Sequence, residues 1–109
     1  RNVNGTKECI EFKPDRMPVG KHTRDNVSFN ETIVDLMKGD NVYALTDGFC
    51  DQFGGPNSKK YTYKRLKEEL IKIDDLTSEN KKQHLEKSFE NWKGVQEQID
   101  DVLIIGVKI

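Results

Sequence analysis

Asn41-Val42-Tyr43-Ala44-Leu45-Thr46-Asp47-Gly48-Phe49 is the stretch from which the fold of this 109-residue chain is read. Val42 to Leu45 are apolar without a break, which predicts a short strand covered on both faces. Asp47 falls where that strand ends and the chain turns, and Gly48 supplies a backbone angle that other residues resist. A carboxylate at the rim of a rigid sheet is placed to hold a cation or a proton. A lone Asp-Gly pair more often marks an ordinary turn. Here a second acidic rim, Asp100-Asp101, directly precedes the apolar run Val102-Leu103-Ile104-Ile105.

Working outward, residues 32–37 predict another strand, and Lys38-Gly39-Asp40 a tight antiparallel hairpin into Val42 with Gly39 at positive φ. Residues 9–12 are short and apolar enough for an edge strand after a turn at Asn4-Gly5. Residues 14–20 read as a turn-rich connector and 22–30 as polar loop. Downstream, residues 50–58 have the composition of a loop. Tyr63, Leu66, Leu70 and Ile73 make one helical stripe, and Leu85, Phe89 and Trp92 a second. Thr77 or Ser78 is the expected N-cap of the second helix, and Gly94 its left-handed end. Residues 102–109, broken by Gly106 and Lys108, predict a central strand buried on two sides.

Strands, then two helices, then a strand define an α+β class rather than alternating βαβ units. So few elements cannot bury that much apolar edge in one small chain. Residues 1–109 are therefore expected to be a single partial domain; the missing initiator Met and the strand at the end point the same way.

Eighteen basic and nineteen acidic side chains nearly cancel, which argues against nucleic acid or a membrane surface as a partner held by bulk charge. No run approaches the ~20 apolar residues of a membrane span, and no signal peptide opens the chain. Cys9 and Cys50 lie far apart without C-x-x-C spacing, which disfavours a disulfide framework or zinc site and suggests a cytoplasmic setting.

Asp47 and Asp100 stand out among the candidates for chemistry. If their strands are antiparallel neighbours, both carboxylates lie at one rim. Carboxylates brought together without a cation repel, and oxygen-only ligands favour magnesium or manganese. The alternative is two unrelated surface turns. His22 and His84 are single histidines in polar contexts, read as surface or helix-face residues. Cys50 is a poor nucleophile, since the neighbouring Asp51 raises its pKa. Gly54-Gly55 lacks the Lys-Ser/Thr of a phosphate-binding loop and reads as a flexible loop beside the acidic rim. Asp74-Asp75 reads as solvated linker.

Taken together, Tyr43-Ala44-Leu45-Thr46-Asp47-Gly48-Phe49, Asp51-Gln52-Phe53-Gly54-Gly55, Trp92-Lys93-Gly94 and Gln98-Ile99-Asp100-Asp101-Val102 resemble the sporulation stage II protein E (SpoIIE) type of phosphatase. That type is the bacterial branch of the metal-dependent, protein phosphatase 2C-like serine/threonine phosphatases. Met17-Pro18-Val19-Gly20 resembles the segment before the hairpin there. The likeness covers nearly the whole chain, but only about the C-terminal half of a complete domain.

The resemblance implies the C-terminal part of an αββα sandwich, with two Mn2+ or Mg2+ ions at one end of paired antiparallel sheets. Asp47 and Asp100 match residues that bind one metal, with Asp101 and Gly48 close by. The ions would share a water that attacks the phosphoryl group in line, without a covalent enzyme intermediate. The implied substrate is a phosphorylated regulatory protein, an anti-sigma-factor antagonist by analogy, in bacterial signal transduction; the parent could be a membrane-anchored sensor. The family's bridging aspartate has no counterpart before Asp47, so one weak metal site at most is expected here. Open sheet edges would favour a homodimer or strand exchange. A noncatalytic interaction or regulatory module with a degenerate phosphatase fold is the alternative.

Overall fold

The computed structural model describes residues 1–13 and 31–109. The expected connector at 14–20, the polar loop at 22–30 and the Met17-Pro18-Val19-Gly20 segment lie outside the described residues. The chain opens with β1 (Asn2–Val3) and β2 (Thr6–Lys7), antiparallel, with Val3 opposite Thr6. Asn4 and Gly5 between them both take positive φ, 51° and 79°. That is the geometry of the primed two-residue turns whose twist matches the strands they join. The turn is where the sequence places it, but the strand is not. Pairing starts at once beside so tight a turn, so residues 9–12 fall beyond the ladder and form no strand.

Residues 32–37 do not form the expected strand either. Lys38 and Gly39 do turn, with Gly39 at φ 95° and Asp40 N donating to Met37 O at 3.0 Å. Beyond the turn, Gly39 N donates to Ile109 O at 2.9 Å, and Ile109 N to Asp40 O at 2.8 Å. Backbone groups that a local hairpin would use are taken by a distant segment.

Asp40 is buried at this turn, and its carboxylate accepts from Arg1 Nη2 and from Met37 N, both at 2.8 Å. The Arg1 guanidinium and then the Met37 amide hold its pKa down to about 2, from an ordinary 3.8. A depressed carboxyl stabilises the fold above its unfolded pKa and loses that effect as pH falls through the folded one. Wild type should therefore outlast Asp40→Asn in urea at pH 6, and the gap should close as pH falls from about 4 to about 2. Equal midpoints at pH 6 would remove this role for Asp40.

β3 (Asn41–Leu45) pairs antiparallel with β6 (Ile104–Lys108), Asn41 opposite Lys108 and Leu45 opposite Ile104. Both strands are as expected, but neither is covered on two faces. Tyr43, Leu45 and Ile104 pack half-buried against the core, whereas Val42, Ile105 and Val107 stay 40–55% exposed. Both faces are apolar in sequence, and one is covered among the described residues.

The stretch expected to be loop is ordered. It forms α1 (Gly48–Asp51) and a hairpin of β4 (Phe53–Gly54) with β5 (Lys59–Lys60). Two amphipathic helices follow, α2 (Tyr63–Lys72) and α3 (Ser78–Lys93). Thr77 caps α3, its Oγ1 accepting from Asn80 N at 3.2 Å, and Gly94 ends it at φ 55°. Leu66, Leu70 and Ile73 from α2 and its end, with Leu85 and Phe89 from α3, form one buried cluster with Phe49, Cys50 and Tyr61. Gly54 and Gly55 are part of this packing. A Cβ on Gly54 would lie 1.9 Å from Trp92 O, and Gly55 N donates to that oxygen at 3.0 Å. The pair is a packing seat for Trp92, not a flexible loop. Among the described residues, then, three two-stranded antiparallel sheets and three helices make an α+β fold. No helix among them is long and apolar enough to cross a membrane.

Candidate functional site

Antiparallel pairing of β3 with β6 brings the end of one and the approach to the other to the same rim. Thr46 fastens them together. Its N donates to Leu103 O at 3.0 Å; its Oγ1 donates to Asp101 O at 2.9 Å and accepts from Leu103 N at 3.1 Å. Asp101 O also presses on Gly48, where a Cβ would come within 2.1 Å of it. Gly48 thus differs from the sequence expectation. Its φ is not among the positive ones, and what excludes a side chain is the close approach of another backbone.

Asp47 stands as the N-cap of α1 but makes no capping bond with its side chain. The carboxylate instead accepts from the Tyr63 hydroxyl through Oδ1. That bond, burial and the Asp47 charge push the Tyr63 phenol well above its ordinary range, so it remains a donor at neutral pH. Across the rim, Asp100 Oδ1 accepts from Asp101 N at 2.8 Å, and both residues of the pair are exposed. Tyr63 is the residue that sequence reasoning missed. It falls on the apolar stripe of α2, yet the residue is exposed and its polar tip turns to Asp47.

The other candidates settle into structural roles. Cys50 is buried, and its thiol is pushed up to about 12, by burial first and then by Asp51 and Asp47. Burial thus outweighs the neighbouring carboxylate as the reason it is a poor nucleophile. His84 lies on the face of α3 as read, half-buried, and meets Glu69 Oε2 at 2.7 Å. Asp74 and Asp75 lie in the link between α2 and α3, where Asp75 is solvated as expected but Asp74 is half-buried. Asp74 accepts from Asn41 Nδ2 at 2.6 Å, and Lys7 Nζ reaches Asp75 Oδ2 at 2.5 Å and Asp74 Oδ2 at 3.5 Å.

Exposed carboxylates at one rim are the oxygen donors that hard divalent cations take. Asp47 and Asp100 are both exposed and carry oxygen donors of that kind. Among the described residues no group of three or more His, Cys, Asp or Glu assembles to hold a metal ion.

Superposition on a solved structure shows that this chain has a protein phosphatase 2C-like fold. One solved structure with this fold is the SiaA-PP2C domain of Pseudomonas aeruginosa, which superposes with a TM-score of 0.72 at 23% identity. The match covers 77% of this chain and 34% of that one, so the chain spans about a third of its length. No family model matches the sequence. No curated protein matches it either.

Proposed function

We propose that these residues are the C-terminal portion of a SpoIIE-type protein serine/threonine phosphatase that acts on a phosphorylated regulatory protein. The observation that carries the reading is the β3–β6 register, which sets the Asp47 and Asp100 blocks at one rim of a phosphatase 2C-like fold. In this reading Asp47 and Asp100 hold a divalent cation, and Thr46 and the bare Gly48 keep their two backbones in register. Mn2+ or Mg2+ bound there would supply Lewis-acid stabilisation of the phosphoryl oxygens and a more acidic water. The buried, protonated Cys50 is unsuited to form a covalent phosphoenzyme. The substrate class, an anti-sigma-factor antagonist, and a cytoplasmic setting in a bacterial signalling pathway rest on analogy to the SpoIIE type.

In a polypeptide carrying the whole domain, Asp47→Asn and Asp100→Asn should each lower Mn2+-dependent hydrolysis of a phosphoserine protein by on the order of 10²–10³-fold. That is the scale of losing one electrostatic stabiliser of the transition state. Thermal midpoints should move little, because both side chains are exposed. Full turnover in both variants would sink the site assignment. The incomplete ligand set among the described residues favours a second reading, a noncatalytic module with the same fold. The same assay separates the two, since a noncatalytic module shows no Mn2+-dependent hydrolysis at all.

A further inference from the structure

α2 starts from a strained residue. Thr62 sits at φ 81° and ψ 153°, a region β-branched residues avoid. Two backbone hydrogen bonds hold it there: Thr62 N donates to Cys50 O at 2.9 Å, and Leu66 N donates to Thr62 O at 3.3 Å. Such strain persists where the surroundings over-determine it, and it clusters at functional positions. The next residue, Tyr63, is 37% exposed while Leu66 and Leu70 on the same stripe are buried. Its hydroxyl reaches Asp47 Oδ1, sixteen residues away, although Asp47 makes no side-chain bond to its own helix.

We propose that Tyr63 is a positioning residue for Asp47, fixing the orientation in which that carboxylate joins Asp100 in holding a divalent cation. The inference rests on the metal reading above. A flexible, exposed carboxylate loses rotamer freedom when it binds an ion, and a hydrogen bond from a helix-borne phenol removes that freedom in advance. Tyr63 also ties α2 to the rim, so the helical layer and the acidic pair are fixed relative to each other.

The test is a Mn2+ titration of the 109-residue chain, read by paramagnetic broadening of the Gly48 and Asp101 amide signals and by the thermal midpoint. Broadening should appear in the unaltered chain and be lost from Asp47→Asn. Tyr63→Phe keeps the ring and removes the donor. It should need about tenfold more Mn2+ or beyond, the range for loss of a partner behind a metal ligand, with the thermal midpoint within a few degrees. A purely structural tyrosine would lower the midpoint and leave the Mn2+ requirement unchanged; that result overturns the role of Tyr63 and leaves the metal reading standing. Broadening that is absent from the unaltered chain, or indifferent to Asp47→Asn, overturns a metal site in this chain and the role of Tyr63 with it, while the hydrolysis assay on the whole domain tests the metal reading separately.

Discussion

Gly48→Ala should lower the stability of the chain by about 3–4 kcal/mol, seen as a large fall in the urea midpoint at unchanged slope. By helix propensity alone the change should help, since alanine is favoured over glycine in a helix by about 1 kcal/mol. Sterics decide otherwise. The new methyl would lie 2.1 Å from Asp101 O, 2.8 Å from its carbonyl carbon and 3.1 Å from Val102 Cγ2. The first two are backbone atoms, which cannot rotate away as the end of a long side chain can. Overpacking of this kind costs about 1–3 kcal/mol, and more where the backbone must shift. A shift of Asp101 also breaks the bonds that Thr46 Oγ1 makes to Asp101 O and Leu103 N. Each such bond contributes about 0.5–1.5 kcal/mol. A midpoint at or above the wild-type value would mean that Asp101 does not sit against Gly48.

Gly48 also marks the limit of what is legible in the sequence. Features with a local cause can be read directly. The stripes of α2 and α3 follow from helical spacing, Thr77 from its capping chemistry, and the Asn4-Gly5 and Gly39 turns from their positive φ. The α+β class and the shared rim follow too, because the rim requires only that two apolar runs pair antiparallel. What escapes reading is set by partners far along the chain. Residues 32–37 have a strand's composition, but the Gly39 and Asp40 backbone bonds to Ile109 instead of closing a local ladder. Residues 50–58 look like loop because of Gly, Pro, Asn and Ser, yet Gln52 is fully buried there with its amide donating to Glu97 O at 2.9 Å. At the site, Gly48 reads as a turn residue because close approach by a second backbone leaves no local mark. Tyr63 reads as core because periodicity records which side chains share a stripe, not where a polar tip ends.

The second large effect lies one residue beyond Gly48. Phe49 is 2% exposed, with its ring 4.9 Å from Tyr61, edge-on, and 5.1 Å from Phe89. Removing a buried phenylalanine costs about 3–5 kcal/mol, and the two aromatic pairs are included in that loss. Domain stabilities are about 5–15 kcal/mol, with small domains at the low end because they bury less surface. Here Val42, Ile105 and Val107 stay exposed as well. Phe49→Ala should therefore leave the chain largely unfolded in buffer at 25 °C, whereas Phe49→Leu, which keeps most of the apolar volume, should cost about 1–2 kcal/mol and remain folded. The consequence reaches the rim. α1 has only four residues, far below the ~12–15 at which an isolated helix becomes even marginal in water. It stands because Phe49 is anchored between β5-flanking Tyr61 and α3, and Asp47 is held where α1 begins. Far-UV circular dichroism and the fluorescence of Trp92, whose ring lies 5.4 Å from that of Tyr61, report the helices and this packing separately. Phe49→Ala should lose both signals together, and Mn2+ binding with them. A variant that keeps its helical signal and wild-type urea midpoint would show that the acidic rim does not depend on the aromatic core.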